Sequence, residues 1–415
     1  MVLKNRGILH DSQSGFRSNF RLQTLVLNLI DQIFSLISTS TPVATGFVDF
    51  KQAFDQVWWA GCLGKLIRLG IPHAYVRWID CWLKDRSGFI EINNKRSRLF
   101  PILKGGPQGS CLTPAIFITY HCDMWTYIQN TLPNFFADDL ACVIGATMGL
   151  KYSQQCLDLE RRLKKLFEYL EYYAVVSVQP INYSKTEVLW TARAIGNPKF
   201  ELYMGDNKIS WVKNFKYLGY YISCKLGWSK MISFQKLKIR QRVAIVRSCR
   251  MYGSTSPQFR KTIFSTYVRP LFTWLFGIFP LLTECQKDDL SHFYFVCLKR
   301  TIGGQLWNDI LFASLFEERS LVNLCNKYWR KYSSALRNST DGFLLFEQQS
   351  LNSIRSQWVD KEFPVKCIYR SKRIVPHTSI IEKCLRWLEN SDENSIPYIP
   401  ENELDILVRF PNSFL

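Results

Sequence analysis

The strongest constraint on how this chain folds is the apolar run from Asn134 to Ile144, broken at its middle by Asp138 and Asp139. Strand-forming residues flank the acids on both sides, so the run reads as two short strands joined by a tight turn. A turn alone accommodates Asp, whose side chain bonds nearby backbone. Adjacent carboxylates held between buried strands repel each other, which favours a bound cation. The acids therefore mark either a solvated turn or a divalent-metal site, and the rest of the chain decides.

A second acidic segment lies upstream, Val48-Asp49-Phe50-Lys51-Gln52-Ala53-Phe54-Asp55. Gly46 to Phe50 is apolar, as in a buried strand, and Asp49 stands where strand gives way to turn. Facing the hairpin, Asp49 joins a set of hard oxygen ligands suited to Mg²⁺. A third segment, Gly105-Gly106-Pro107-Gln108-Gly109-Ser110, is a Gly-rich loop ahead of an apolar helix expected over Leu112 to Tyr127. Its small residues let backbone approach a ligand closely.

Taken in order, VDFKQAFD, GGPQGS, FADD, then Asn182-Tyr183-Ser184-Lys185-Thr186 and Lys216-Tyr217-Leu218-Gly219 resemble a reverse transcriptase of the non-LTR (LINE-type) retrotransposons. Ser14-Gly15-Phe16-Arg17, Leu69-Gly70-Ile71-Pro72, Trp78-Ile79 and Leu83-Lys84-Asp85-Arg86 fit the same family, and the resemblance runs from about Gly7 to at least Gly303. It implies an α+β right-hand polymerase fold: partial fingers at 1–44, a palm with antiparallel sheet and helices at 45–225, a helical thumb at 226–332, and a C-terminal extension of unknown role at 333–415. It also implies RNA-directed DNA polymerase activity: two-metal nucleotidyl transfer from a dNTP to a primer 3′-hydroxyl. Two Mg²⁺ ions, with Mn²⁺ as the alternative, fall to Asp49, Asp138 and Asp139, Asp138 as the bridging ligand and Asp139 on the primer side. The resemblance places Phe50 (through its carbonyl), Phe54, Gln108, Gly109 and Arg17 at the nucleotide. Phe54 would sit beneath the sugar and clash with a ribose 2′-hydroxyl. Lys185 would donate a proton to pyrophosphate, and Tyr217, Leu218 and Gly219 would position the primer. The partners implied are an RNA template, a DNA primer or target, and dNTPs.

The chain's 53 Lys and Arg against 34 Asp and Glu give a net charge of +19. Such an excess favours a polyanion such as nucleic acid, although a membrane surface would attract it as well. The cations crowd Lys236, Lys238, Arg240, Arg242, Arg247 and Arg250 around an apolar stripe of Ile239, Val243 and Val246. With no acid between Lys236 and Arg250, this helix is expected to contact duplex phosphates, through Lys236, Arg240 and Arg247 above all. The thirteen Cys form no CxxC pair. With no apolar targeting segment, they read as reduced thiols of an intracellular protein, in nucleus or cytoplasm. The apolar run Leu271 to Leu282 is too short to span a membrane and reads as a buried helix.

The start departs from the resemblance. The initial Met stands 14 residues before Gly15, where such enzymes carry more fingers sequence with a basic residue that grips the triphosphate. Arg17 and Arg21 are the nearest substitutes. An N-terminally truncated element is therefore expected, either a working polymerase or a catalytically weak or inactive RNA/DNA-binding protein derived from one.

Overall fold

The structure, a computed structural model, describes residues 8–17, 20–39, 41–192, 198, 200–248, 255–303 and 319–337. Arg250 and nearly all of the 333–415 extension lie outside the described residues. Two compact units divide between Lys225 and Leu226.

The first unit begins with α1 (Leu22–Ser38) and β1 (Val43–Val48). A 3-10 turn (Ala53–Gln56), α2 (Trp59–Arg68) and α3 (His73–Leu83) follow. Four two-residue strands come next, β2 (Ser87–Gly88), β3 (Glu91–Ile92), β4 (Lys95–Arg96) and β5 (Phe100–Pro101). Then come α4 (Leu112–Tyr120), α5 (Met124–Tyr127), β6 (Leu132–Phe136), β7 (Asp139–Gly145) and α6 (Tyr152–Val176). The unit closes with β8 (Glu187–Thr191), β9 (Leu202–Met204), β10 (Asn207–Val212), β11 (Asn214–Tyr217) and β12 (Tyr220–Ser223).

The main sheet runs β6-β7-β1-β8-β10-β9, antiparallel throughout except where β10 lies parallel to β8. Every residue of β1 is buried because the sheet is covered on both sides. A Cβ at Gly46 would meet Leu166 of α6, and one at Gly145, opposite Val43, would meet Leu36 of α1. Residues 43 and 46 point to opposite faces of the strand, so the two helices cover opposite faces. Leu159, Leu163, Leu166, Phe167 and Leu170 of α6 are all buried. Leu157 is 63% exposed, because six residues before Leu163 falls off the helical face.

The helix expected over 112–127 is broken into α4 and α5. Lys65 explains the break: its buried ammonium bonds the Tyr120 carbonyl at 2.5 Å and the Asp123 carboxylate at 2.6 Å. A carbonyl freed from the helix ladder thereby keeps a partner.

At the outer edge, the backbone of Asn134 accepts from the Tyr217 hydroxyl at 3.2 Å. Its buried side chain bonds Asn28 at 3.1 Å and Gln32 at 2.8 Å, both on α1.

The second unit is helical. It comprises α7 (Ser229–Ser248), α8 (Pro257–Ile263), a π turn (Phe264–Val268), α9 (Arg269–Thr273), α10 (Glu284–Ile302) and α11 (Leu321–Arg337). The stripe of Ile239, Val243 and Val246 is buried as its spacing predicts. The apolar run 271–282 is not one helix: α9 ends at Thr273, and 3-10 turns cover Trp274–Gly277 and Phe279–Leu281. Pro280 removes a backbone donor there and Gly277 weakens helix propagation. Thr283 caps α10, with Gln286 closing a capping box, and Gly303 ends it at φ 109°. No helix among the described residues is long and apolar enough to cross a membrane.

Candidate active site

Asp49 follows the last residue of β1, and its position is fixed by the segment Pro180 to Asn182 beside it. The Asn182 amide donates to the Asp49 carbonyl, and the Asn182 side chain donates to Asp49 Oδ2, each at 2.8 Å. Phe50 bridges to Ile181 and is buried. Lys185 Nζ stands 3.7 Å from Asp49 Oδ2 on a side chain that is 71% exposed.

Asp138 and Asp139 lie at the turn of the β6–β7 hairpin, where Phe136 pairs with Asp139. Burial pushes the Asp138 carboxyl up, against a backbone hydrogen bond that lowers it, and the charge of Asp49 adds to the rise. Burial, then Asp138, then Asp49 push Asp139 up to about 6, while Lys185 pulls it down. Asp49, Asp138, Asp139 and Lys185 are thus within one another's electrostatic reach. Asp49 raises both hairpin carboxyls and Asp138 raises Asp139, and a hard-oxygen, anionic set of this kind has the chemistry that suits a divalent cation. Among the described residues, no group of three or more His, Cys, Asp or Glu side chains is arranged so that it could hold a metal ion.

The Gly-rich loop is tied to the segment after Asp49. Gly105 N donates to Val57 O at 2.9 Å and Gly106 N to Phe54 O at 3.0 Å. A Cβ on Gly105 would lie 2.7 Å from Asp55 O, so the close approach requires glycine. Arg86 and Trp59 both donate to the Gly105 carbonyl, at 2.5 and 2.8 Å. Gln108, exposed, donates to Asp55 Oδ1 at 2.9 Å, and Gly109 is exposed at φ 87°. The Phe54 ring is half-buried, 4.5 Å from Phe117 and edge-on to Phe16 at 6.2 Å.

Leu218 (φ 47°) and Gly219 (φ 86°) form the two-residue turn between β11 and β12, both left-handed as a type I′ hairpin turn demands. Tyr217 is buried, with its ring 5.4 Å from Phe47. Burial, then the charge of Asp139, push its phenol well up, which places this turn near the acidic hairpin.

Two residues behave differently from expectation. Arg17, expected at the nucleotide, binds its own loop: it donates to His10 O at 3.0 Å and Gln13 O at 3.1 Å, stands 3.6 Å from Asp11, and is 11% exposed. Lys236, expected at phosphate, is 14% exposed, 2.6 Å from Asp289 of α10, with its ammonium 5.0 Å from the Phe293 ring centre. Arg240 also lies over Phe293, at 5.5 Å, but is exposed, as is Arg247.

Sequence reading missed Gln13 and the Asp49 contact of Asn182. Gln13 Oε1 accepts from Gly15 N at 2.8 Å and Ala137 N at 3.0 Å, and its Nε2 donates to Ala137 O at 3.4 Å. The available signal was a tight turn, Ala137-Asp138, with no glycine in it.

A family model described as reverse transcriptase (RNA-dependent DNA polymerase) matches residues 1–222. The probable RNA-directed DNA polymerase from transposon BS of Drosophila melanogaster is 24% identical over 287 residues, 67% of this chain and 30% of that protein. The RNA-directed DNA polymerase from mobile element jockey of the same organism is 27% identical over 246 residues, 56% of this chain and 25% of that protein. The chain therefore spans less than a third of the length of these relatives. A solved structure of apo telomerase from Candida tropicalis shares 12% identity at a TM-score of 0.39, over 55% of this chain and 42% of that one.

Proposed function

The chain belongs to the reverse transcriptase (RNA-dependent DNA polymerase) family, and from that premise we propose that it extends a primer with dNTPs along an RNA template, as part of a non-LTR retrotransposon. The observation that supports this most directly is the electrostatic influence of Asp49 on Asp138 and Asp139 in a chain of this family. Enzymes of the family generally use divalent metal ions. In this reading Asp49, Asp138 and Asp139 would hold two Mg²⁺, or Mn²⁺, which would supply activation of the primer 3′-hydroxyl and charge stabilisation of the pyrophosphate.

The chain's own residues do the positioning. Asn182 fixes the Asp49 carboxylate through the 2.8 Å bond to Oδ2, leaving Oδ1 for a ligand. Lys185, exposed on its stem beside Asp49, is the proton donor to pyrophosphate. The loop of Gln108 and Gly109, tied to Asp55, orients the sugar and base. The Phe54 ring, backed by Phe117, forms a wall that excludes a 2′-hydroxyl. Tyr217, Leu218 and Gly219 hold the primer end, with partial fingers at 1–44, palm at 45–225 and thumb at 226–332. Arg240 and Arg247 contact duplex phosphate, and the protein acts inside the cell, in nucleus or cytoplasm.

Primer extension on an RNA template with dNTPs and Mg²⁺, run beside Asp138→Asn, tests the reading. Extension that vanishes in the variant is the expected result. No extension by the native chain, with salt-sensitive template binding retained, replaces it with an element-derived nucleic-acid-binding protein.

A further inference from the structure

We propose that Gln13 is a positioning residue for the carboxylate hairpin, its side-chain amide holding the Ala137 peptide groups and thereby aiming Asp138. The consequence for synthesis rests on the polymerase reading; the structural claim rests on hydrogen-bond geometry alone.

A two-residue hairpin turn needs a left-handed first residue, and glycine normally supplies it. Here Ala137 occupies that position at φ 59°, where its Cβ is disfavoured. The turn therefore needs support from outside, and the segment around Gln13 provides it. Phe135 N donates to Ser12 O and Ser14 N to Phe135 O, both at 2.8 Å, so residues 12–14 lie alongside β6. That pairing carries the buried Gln13 side chain onto the turn. Its oxygen accepts from Ala137 N and its nitrogen donates to Ala137 O. One amide thus satisfies both peptide groups of the strained residue. The approach is closer than any side chain at Gly15 would allow, since a Cβ there would stand 2.3 Å from Ala137 N. Asp138 is the next residue, so the direction of its carboxylate follows from the Ala137 peptide. A glutamine that only filled space would be replaceable by Met; one bonded on both sides of a left-handed alanine is not.

The test pairs hydrogen–deuterium exchange of the peptide covering 134–140 with primer extension at varied dNTP. Gln13→Met should speed exchange there by about tenfold or more, since local opening sets the rate. It should lower kcat by about ten- to a hundredfold with KM for dNTP little changed, because the damage is misalignment. Adding Ala137→Gly, which removes the need for outside support, should recover part of both losses. Unchanged exchange in Gln13→Met overturns the proposal, and so does an activity loss that Ala137→Gly leaves untouched. Should Gln13→Met fail to fold, Gln13→Glu keeps the accepting oxygen and loses the donor. It is then expected to show smaller shifts in the same two readouts, and wild-type exchange in it counts against the proposal. If the native chain extends no primer, the polymerase reading fails, while exchange still decides the claim about Gln13.

Discussion

Asp138 and Asp139 share a hairpin where burial raises both carboxyls, Asp138 adds to the rise of Asp139, Asp49 adds to both, and Lys185 offsets part of the rise at Asp139. The cations of α7 are placed in the opposite way. Lys236 is held by Asp289 and Phe293, Lys238 lies over Phe234 at 4.6 Å, and Arg242 over Tyr267 at 4.3 Å. Both regions are dense in one sign of charge along the sequence. In the folded chain one remains short of counter-charge, and the other has much of its charge taken up inside its own unit. Uncompensated charge, rather than charge density, is what distinguishes a candidate reaction centre from a scaffold.

The contrast breaks most severely at Asp138. Asp138→Asn should cut primer extension by on the order of a thousandfold or more while leaving template binding intact, because it removes charge that only the metal-bound state uses. Single-turnover extension beside a filter-binding assay measures both.

Phe54 tests the neutral wall beside the acids. Phe54→Val should raise incorporation of ribonucleotides relative to deoxyribonucleotides by about tenfold or more, the range expected when a steric exclusion is relieved. Competing rNTP and dNTP on one template reads the ratio directly.

Asp139 sharpens the comparison through pH. Its folded-state pKa of about 6 lies above the ordinary 3.8, so the fold favours the protonated carboxyl. In metal-free buffer that preference destabilises the fold as pH rises from about 4 through about 6, by at most ~3 kcal/mol. Asp139→Asn should therefore be the more stable protein above pH 6 and lose that advantage near pH 4. Adding Mg²⁺ at pH 7 should raise the Tm of the native chain more than that of the variant. Thermal melts across the pH range check each part.

The smallest effect separates two cations of α7. Arg247→Ala should lower the salt-dependence slope of template binding by about 1, as for a lost phosphate contact. Lys236→Met should leave the slope nearly unchanged and cost stability instead, roughly 1 kcal/mol, since its partners lie within the unit.

What was legible in the sequence was what is local along the chain. Asp49, Asp138 and Asp139 stand out because each sits at the polar end of an apolar strand, and α7 because its stripe of Ile239, Val243 and Val246 repeats at helical spacing. The broken helix at His121 was hidden because its cause, Lys65, comes from another helix. The same holds for Lys236: no acid follows it in its own helix, and the acid that meets it comes from α10. Gln13 and Ala137 are 124 residues apart, and Asn182 and Asp49 are 133. No periodicity encodes such pairings; only the missing glycine in the turn hinted that something had to reach it.

Asn134 carries a consequence for folding errors. Its backbone and side chain join β6 to Tyr217, Asn28 and Gln32. Were β6 to pair with β7 one residue out of step, its side chains would exchange faces. Asn134 would then stand buried without those partners, at a cost of about 1–3 kcal/mol for each orphaned group. The turn that carries Asp138 would be shifted against Asp49 by the same slip. A buried asparagine at the sheet's edge thus serves as a proofreading device for assembly, penalising the misregistered chain before its acids can meet in the wrong place.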